Sequence, residues 1–405
     1  MFNRSSLGLL LLLLSACGAA PVAEPSPFGP LRGGPPAPIV TALLPPPPPT
    51  APIPSIAPPP APLPEPTGSG VPLDAPATPP PAPSPPARVA RGTGSAEDAL
   101  LAAGDTAFAA NDFVAAEKAY RDAAAKDRKD PAGIVGAVRA KIARAAVPTD
   151  FNSAPKSPVL TAAVGEIKRA IKLDDTYAPA HLELGRAYLV LGSTADALAS
   201  LRRAVELAPG DAEAHSALGI AHLAGGHLPE AIRELARSAE IAPGDADRQT
   251  NLGTALLSAG RAGEAVAAYE RAAKLAPGDA RVQNDLGTAL LFANDPARAT
   301  AILASAVAKD PQRATYRSNL GYAYSLKGDL PKAIALYREA LKLDDKLGSA
   351  WINLGNALAQ SGQTKEAREA YLKAKALDPT DPRVKAVLQE LDTIEKGGGG
   401  PPASP

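Results

Sequence analysis

Apolar and small residues recur with a period of 34 along residues 178–381. Each period has a Leu-Gly pair, an alanine twelve residues after the glycine, and a small residue seven further on. With the glycine at position 8, positions 4, 7, 8 and 11 share one face of a first helix, and positions 20, 24 and 27 form a matching face of a second. This pattern predicts a solenoid of helix–turn–helix repeats. The glycines are Gly185, Gly219, Gly253, Gly287, Gly321 and Gly355.

Turn and cap residues recur with the same period. Position 15 is glycine in five periods and Asn294 in the fourth, and both residues tolerate the left-handed conformation that ends a helix. Proline stops the second helix in five of the six periods, with Asp345 as the exception. Aspartates stand where the next helix needs an N-cap side chain. They are Asp211, Asp245, Asp279 and Asp381.

Less regular segments flank the six regular repeats. Residues 96–177 predict two divergent repeats, the second interrupted by an insertion at residues 146–158. Two interpretations of the insertion stay open: a tolerated loop, because longer loops are only slightly unfavourable, or a contact for a specific partner. Residues 382–396 carry an apolar stripe that predicts a capping helix over the last repeat. Residues 397–405 are predicted to be a disordered tail.

The period, the Leu-Gly pairs and the conserved spacing of alanine and proline resemble the tetratricopeptide repeat (TPR) family. The resemblance implies an all-α fold, a right-handed α-solenoid of about eight repeats closed by the C-terminal helix. It also implies a binding scaffold for protein partners.

The N-terminus resembles the leader of a bacterial lipoprotein. Arg4 precedes an apolar run, Leu7–Leu14, which is too short to span a membrane and suits a signal peptide over residues 1–16. Leu-Ser-Ala-Cys resembles the lipobox, which implies acylation of Cys17, the chain's single cysteine. The alternative is an ordinary secretory signal with a chance cysteine. Gly18 follows in place of the aspartate of inner-membrane retention, so we expect a lipid anchor in the outer membrane, on its periplasmic side.

Proline dominates the segment that follows, residues 17–95. Of the chain's 45 prolines, 28 lie between Pro21 and Pro86. Proline lacks the N–H and fixes φ, so we expect a disordered linker that favours polyproline II. It is interpreted as a spacer between membrane and repeats, with a PxxP recognition site as the alternative.

Charge and chemistry narrow the function. The whole chain has 42 basic and 42 acidic residues, so no basic excess is available for nucleic acid. We expect no catalytic residues, no metal site and no cofactor, and hence no enzyme, because no phosphate loop, paired-histidine motif or nucleophile elbow is present. His181, His215 and His222 stand at packing positions.

Polar residues follow a second face of each first helix. Positions 2, 6, 9 and 13 share this face, which we call the groove face; in the TPR family it lines the concave side. From the third regular repeat onward, positions 6 and 9 are polar, and the asparagines resemble the ladder of O-GlcNAc transferase repeats. A solvated face without a ligand is the alternative. The predicted peptide-binding residues are Asn251, Thr254, Asp285, Thr288, Asn319, Tyr322, Asn353 and Asn356.

These features together predict a membrane-anchored periplasmic scaffold that binds protein partners. Its arrangement resembles that of TPR lipoproteins that help to assemble an envelope complex such as a type IV pilus secretin. The alternative is an accessory subunit of a complex that handles cell-wall or surface polysaccharide.

Overall fold

The computed structural model describes residues 89–145 and 157–396, and all the regular structure in these ranges is α-helical. After Asp310 these residues divide into two compact units. The first unit holds α1 (Ala96–Ala109), α2 (Phe113–Lys126), α3 (Ala132–Arg144), α4 (Pro158–Leu173), α5 (Ala178–Val190), α6 (Thr194–Leu207), α7 (Ala212–Ala224), α8 (Leu228–Ile241), α9 (Ala246–Ser258), α10 (Ala262–Leu275), α11 (Ala280–Phe292) and α12 (Pro296–Lys309). The second holds α13 (Ala314–Leu326), α14 (Leu330–Leu343), α15 (Gly348–Gln360), α16 (Thr364–Leu377) and α17 (Pro382–Lys396).

Each odd-numbered helix up to α15 packs against the even-numbered helix that follows it. The described residues therefore contain eight helix pairs, six in the first unit and two in the second, with α17 as an additional last helix. This confirms the predicted α-solenoid of TPR type. The divergent repeat α1–α2 pairs in the same manner as the regular ones, whereas α3 packs more extensively against α2 than against its own partner α4.

Position 8 is glycine because the side chain at position 24 occupies the adjacent space. A Cβ added to Gly185 would lie 2.4 Å from Cγ of Leu201, and one added to Gly355 would lie 2.5 Å from Cε1 of Tyr371. Alanines at positions 20 and 27, such as Ala197, are fully buried. The two helices of a repeat thus approach closely through small residues, as the periodicity predicts.

The residues predicted to end and to cap the helices adopt the expected conformations. Asn294 adopts φ 59° and Gly192 adopts φ 75°, so position 15 is in the left-handed conformation. Asp211 and Asp245 each accept one backbone N–H bond as N-caps of α7 and α9, and Asp279 accepts two at α11. The N-cap assignments made from sequence at these three helices are confirmed.

The divergent second repeat shows one small difference from expectation. Pro158 is the first residue of α4 instead of the last residue of the insertion, because proline is favourable at the first position of a helix. The rest of the predicted insertion, 146–156, lies outside the described residues. Residues 1–88 and 397–405 do so as well, so the structure does not test the predicted signal peptide, Cys17, most of the linker or the tail.

The final helix, α17, buries the stripe that the sequence indicates. Val384, Val387, Leu388 and Leu391 join one apolar cluster with Tyr371 of the preceding helix. This is the packing expected of a helix that covers the apolar side of a terminal repeat.

Among residues 89–145 and 157–396, no helix combines the length and the apolar character that crossing a bilayer requires.

Candidate functional site

The predicted peptide-binding residues of the first unit lie on α9 and α11. Asn251, Thr254 and Asp285 are buried, and Thr288 is half-buried. The amide nitrogen of Asn251 donates a 2.9 Å hydrogen bond to Oγ of Ser216 on α7. The donor group of Asn251 is therefore engaged within the protein, whereas the sequence pattern presented it as free for a ligand.

The other four predicted residues lie in the second unit. Asn319, Tyr322, Asn353 and Asn356 are all half-buried. Oδ1 of Asn356 accepts a 2.8 Å bond from the hydroxyl of Tyr371. The predicted residues are therefore buried or half-buried, and several of their polar groups already bind neighbouring side chains.

In the first unit, three of the predicted residues border one open cleft of about 260 Å³ between α9, α10 and α11. They are Thr254, Asp285 and Thr288. The remaining lining residues are Leu257, Ser258, Tyr269 and Phe292. The Phe292 side chain is 70% exposed, which is unusual for an aromatic residue in a helical core protein.

The hydroxyl hydrogens in this cleft point back into the helices. Thr254 donates to the carbonyl of Thr250 at 3.0 Å, and Ser258 donates to the carbonyl of Thr254 at 2.8 Å. On α11, Thr288 donates to the carbonyl of Asn284 at 2.9 Å. With its own hydrogen used in this way, Thr254 accepts from the hydroxyl of Tyr269 at 2.9 Å. The hydroxyl hydrogens of Thr254, Ser258, Tyr269 and Thr288 are therefore used within the protein.

Asp285 is the charged group of the cleft, and one of its oxygens has no partner. Oδ1 accepts from the side-chain amide of Asn284 at 3.3 Å, while Oδ2 is buried without a hydrogen bond. Burial raises the pKa of Asp285 to about 6; the Asn284 bond and the positive charge of Arg281 lower it, and the negative charge of Asp279 adds to the rise. Arg281 itself pairs with Asp247 at 2.9 Å and with Asp279 at 3.2 Å.

At the other end of the first unit, the groove face already binds a non-helical segment, which is the chain's own residues 89–91. The backbone N–H groups of Val89 and Ala90 donate to Oδ2 of Asp105 at 2.9 and 3.0 Å. Arg91 N–H donates to Oδ1 of Asp98 at 2.6 Å. Asp98 and Asp105 occupy positions 2 and 9 of the first repeat, so they belong to the groove face.

Neighbouring repeats fix the same segment from its other side. The Tyr177 hydroxyl donates to the carbonyl of Val89 at 3.2 Å, and the guanidinium of Arg91 lies 4.7 Å from the centre of the Tyr177 ring. Arg91 also pairs with Asp130 at 2.9 Å. Residues 89–95, assigned from sequence to the linker, thus contain a stretch that packs against the repeats.

Asp105 is paired on all sides. Besides the backbone groups of residues 89 and 90, it accepts from the Tyr120 hydroxyl at 2.7 Å and from Arg139 at 3.0 Å. Arg139 is at position 9 of the second repeat, one period after Asp105. The carboxylate of Asp105 is therefore satisfied by its own chain.

A recurring pair escaped the sequence analysis. In three of the four described repeats with tyrosine at position 24, the hydroxyl bonds to the polar residue at position 9 of the same repeat; Tyr337 is the exception. The three pairs are Tyr120–Asp105, Tyr269–Thr254 and Tyr371–Asn356. The sequence shows the alternation between tyrosine and leucine at position 24. Leucine stands there in the repeats that carry Arg186, Ile220 and Thr288 at position 9.

Two of the three histidines predicted at packing positions, His215 and His222, are buried, and His181 is half-buried. His215 is buried, bonded to Glu234 at 2.8 Å and to the carbonyl of Pro209 at 3.1 Å. Burial lowers the pKa of His222, assisted by the charges of Arg202 and His227. No group of three or more histidine, cysteine, aspartate or glutamate residues within the described ranges is arranged to hold a metal ion.

Comparison with solved structures shows similar repeat proteins. The Cut9–Hcn1 hetero-tetramer of the APC/C superposes with a TM-score of 0.53 at 15% identity, over 74% of this chain and 57% of that one. PilF of Pseudomonas aeruginosa is 21% identical over 54% of this chain and 98% of its own, with a TM-score of 0.45. MamA of Desulfovibrio magneticus RS-1 is 26% identical over 42% of this chain and 97% of its own, with a TM-score of 0.38. No curated protein sequence matches the chain.

Three family models match consecutive parts of the sequence. Two tetratricopeptide repeat models match residues 161–246 and 326–391. Between them, the TPR domain of cytochrome c-type biogenesis protein H matches residues 240–347. The helix pairs, the 34-residue period and these three matches agree, and the chain is a tetratricopeptide repeat protein.

Proposed function

We propose that this protein is a lipid-anchored scaffold of the cell envelope whose groove face binds an extended segment of a protein partner. Tetratricopeptide repeats are protein-interaction modules, and the repeat array provides the scaffold. The observation that carries the binding mode is the docking of residues 89–91 on Asp98 and Asp105. A non-helical backbone segment lies on the groove face there and donates its N–H groups to carboxylates on the first helix of a repeat.

Anchoring is proposed from the leader sequence. The short apolar run and the Leu-Ser-Ala-Cys segment fit a signal peptide followed by an acylated Cys17. Acyl chains on one residue together supply the two signals that stable anchoring needs. The proline-rich residues between Cys17 and the repeats would extend from the membrane by up to about 3.1 Å per residue.

A single substitution tests the anchor. Cys17→Ser should move the protein from the membrane fraction to the soluble fraction or leave an unprocessed precursor, and it should abolish labelling with an alkynyl fatty acid. Equal labelling of both proteins would contradict acylation at Cys17.

The groove face is tested by site-specific photocrosslinking in cells. A photoreactive phenylalanine analogue at Thr288, half-buried at the cleft, should trap a partner. The control places the same analogue at Arg203, an exposed residue of the second helix α6. Crosslinks of equal yield at both positions, or at Arg203 alone, would show that the partner binds elsewhere.

The trapped partner also decides the narrower role. We propose assembly of an envelope complex such as a type IV pilus secretin, because a lipoprotein leader, a proline-rich stretch and a repeat array occur in that order. A secretin or pilus subunit in the crosslinked band supports this role. A glycosyltransferase or another enzyme of surface polysaccharide would support the alternative of a glycan-handling complex.

A further inference from the structure

The cleft between α9, α10 and α11 has a mostly apolar lining, and Asp285 is the one charged residue among its lining residues. The hydroxyls of Thr254, Ser258 and Thr288 donate hydrogen bonds to helix carbonyls, and the Tyr269 hydroxyl donates to Thr254. Asp285 contributes a carboxylate oxygen with no partner although its side chain is more than nine-tenths buried. A positively charged donor matches the carboxylate of Asp285, and an apolar stem matches the remaining, mostly apolar lining.

The volume and the apolar rim further restrict the ligand. The cleft of about 260 Å³ is smaller than pockets for drug-sized ligands, which begin at about 300 Å³. Leu257 and the exposed ring of Phe292 line the same cleft. Long cationic side chains pack their methylene stems on apolar surface, and a guanidinium or ammonium group is attracted to an aromatic face.

We propose that this cleft is a subsite for the lysine or arginine side chain of a partner peptide, with Asp285 as the anion that pairs with it. The proposal rests on the proposed function, since it assigns one side chain of the extended segment that the groove face binds. The partner's ammonium or guanidinium donates to Oδ2 of Asp285, and its stem lies against Phe292. Leu257 completes the apolar wall.

The chain itself shows the same pair of contacts around an arginine elsewhere in the first unit. The guanidinium of Arg91 pairs with Asp130 and lies over the ring of Tyr177, two residues at the starts of first helices. Asp285 and Phe292 offer the same two elements, a carboxylate and an aromatic ring, with no cation between them in the described structure. Arg281, which influences Asp285, already forms ion pairs with Asp247 and Asp279.

The test starts with peptides selected by the full-length protein from a displayed library of random nine-residue sequences. We expect lysine or arginine to be enriched at one position of the selected peptides. Peptides selected without such enrichment would overturn the cation subsite and leave peptide binding by the groove face intact. A library that yields no binding peptide would overturn both proposals.

A double-mutant cycle then locates the cation. The affinity of a selected peptide, labelled with fluorescein, is measured by anisotropy with wild type and with Asp285→Asn, and again for the peptide with its cation replaced by norleucine. Each single change should weaken binding about tenfold, and the two together should weaken it little further. Independent, additive losses would place the cation elsewhere and overturn the proposal.

Matched controls separate the subsite from general effects. Glu206→Gln makes the same kind of change at an exposed carboxylate of α6 and should leave the affinity unchanged. Phe292→Ser removes the exposed ring and should weaken the cationic peptide more than the norleucine peptide. Asp285→Asn must retain the helical circular dichroism of wild type, and Thr288→Val, which removes one acceptor, serves as the second variant if it does not. Equal losses for both peptides in Phe292→Ser would contradict the proposed contact.

Discussion

Two aspartates on the groove face of the first unit have opposite surroundings. Asp105 accepts hydrogen bonds from two backbone N–H groups, a tyrosine hydroxyl and an arginine. Asp285 has a single side-chain donor, the amide of Asn284, and one bare oxygen. The difference has two sources: residues 89 and 90 donate two backbone N–H groups to Asp105, and Tyr120 and Arg139 supply the other two donors. Asp285 has neither a docked segment nor a cationic side chain bonded to it.

The charged groove-face residues between Asp105 and Asp285 along the chain form ion pairs within the protein, as Asp105 does. Glu183 pairs with Arg186, and Arg186 also pairs with Glu213 of the next repeat. Glu213 in turn pairs with Arg248 on α9. These pairs link the first helices of successive repeats, so their carboxylates are partnered within the protein. Asp285 departs from this pattern at the cleft.

The comparison predicts its largest effect at Asp105. Asp105→Ala leaves Arg139, which is 9% exposed, without its ion-pair partner and frees the backbone N–H groups of residues 89 and 90. Removing one member of a buried pair costs about 3–5 kcal/mol. Chemical denaturation followed by circular dichroism should show that loss, with α1–α4 unfolding first. A loss below about 1 kcal/mol would mean that the docked segment contributes little to folding.

The opposite sign is expected at Asp285. Asp285→Asn keeps the shape and removes a buried charge, so it should raise the free energy of unfolding at pH 7. The pKa of about 6, against 3.8 for an ordinary aspartate, sets an upper bound of about 3 kcal/mol on this gain. Denaturation of wild type and variant in parallel measures it. A destabilised variant would show that the carboxylate contributes to the fold and not to a ligand.

The gain should depend on pH in a defined direction. The native state holds a proton on Asp285 up to about pH 6, whereas the unfolded chain releases it near pH 4. The destabilisation that the buried, ionised Asp285 causes in wild type is therefore complete above pH 6 and disappears as the pH falls to 4. The difference in free energy of unfolding between wild type and Asp285→Asn should become smaller between pH 6 and pH 4. A difference that stays constant over this range would exclude the titration of Asp285 as its source. The charged groups that influence this titration, Arg281 and Asp279, are the same in both proteins.

A smaller effect is expected from Arg91. The side chain is 38% exposed, so its ion pair with Asp130 contributes below about 1 kcal/mol. Arg91→Ala should leave global stability nearly unchanged but accelerate hydrogen exchange at Val89 and Ala90, because the segment opens locally more often. Asp130→Asn provides the matched change on the other partner. Unchanged exchange in both variants would show that Asp98 and Asp105 hold the segment without help from Arg91.

The smallest effect on folding is expected at Phe292. Because its ring is 70% exposed, Phe292→Ser should alter the free energy of unfolding by less than about 0.5 kcal/mol. This variant separates a binding role from a structural one, since the cleft loses its aromatic wall while the repeat remains packed. A loss above about 1 kcal/mol in the melt would indicate that the ring supports the fold.

Much of the fold is determined by the sequence alone. Gly185 and its equivalents, the left-handed Asn294 and the cap Asp279 act through contacts within one repeat, and these contacts recur every 34 residues. Because the same local contact recurs at a fixed interval, it requires the same residue type at that interval, and this spacing can be read from the sequence. The packing of α17 follows in the same way from an apolar stripe at helical period.

The state of each polar side chain on the groove face was decided by tertiary structure. Asn251 is engaged because Ser216 lies one repeat away, and Asp105 is covered because residues 89–91 fold back onto it. Asp285 is buried with one oxygen unpaired, because no residue in the described ranges brings a donor to that oxygen. A repeat pattern specifies which residues share a face, but the partner of each polar group comes from another repeat or a distant segment. Burial and pairing therefore depend on the assembled array, which no single period records.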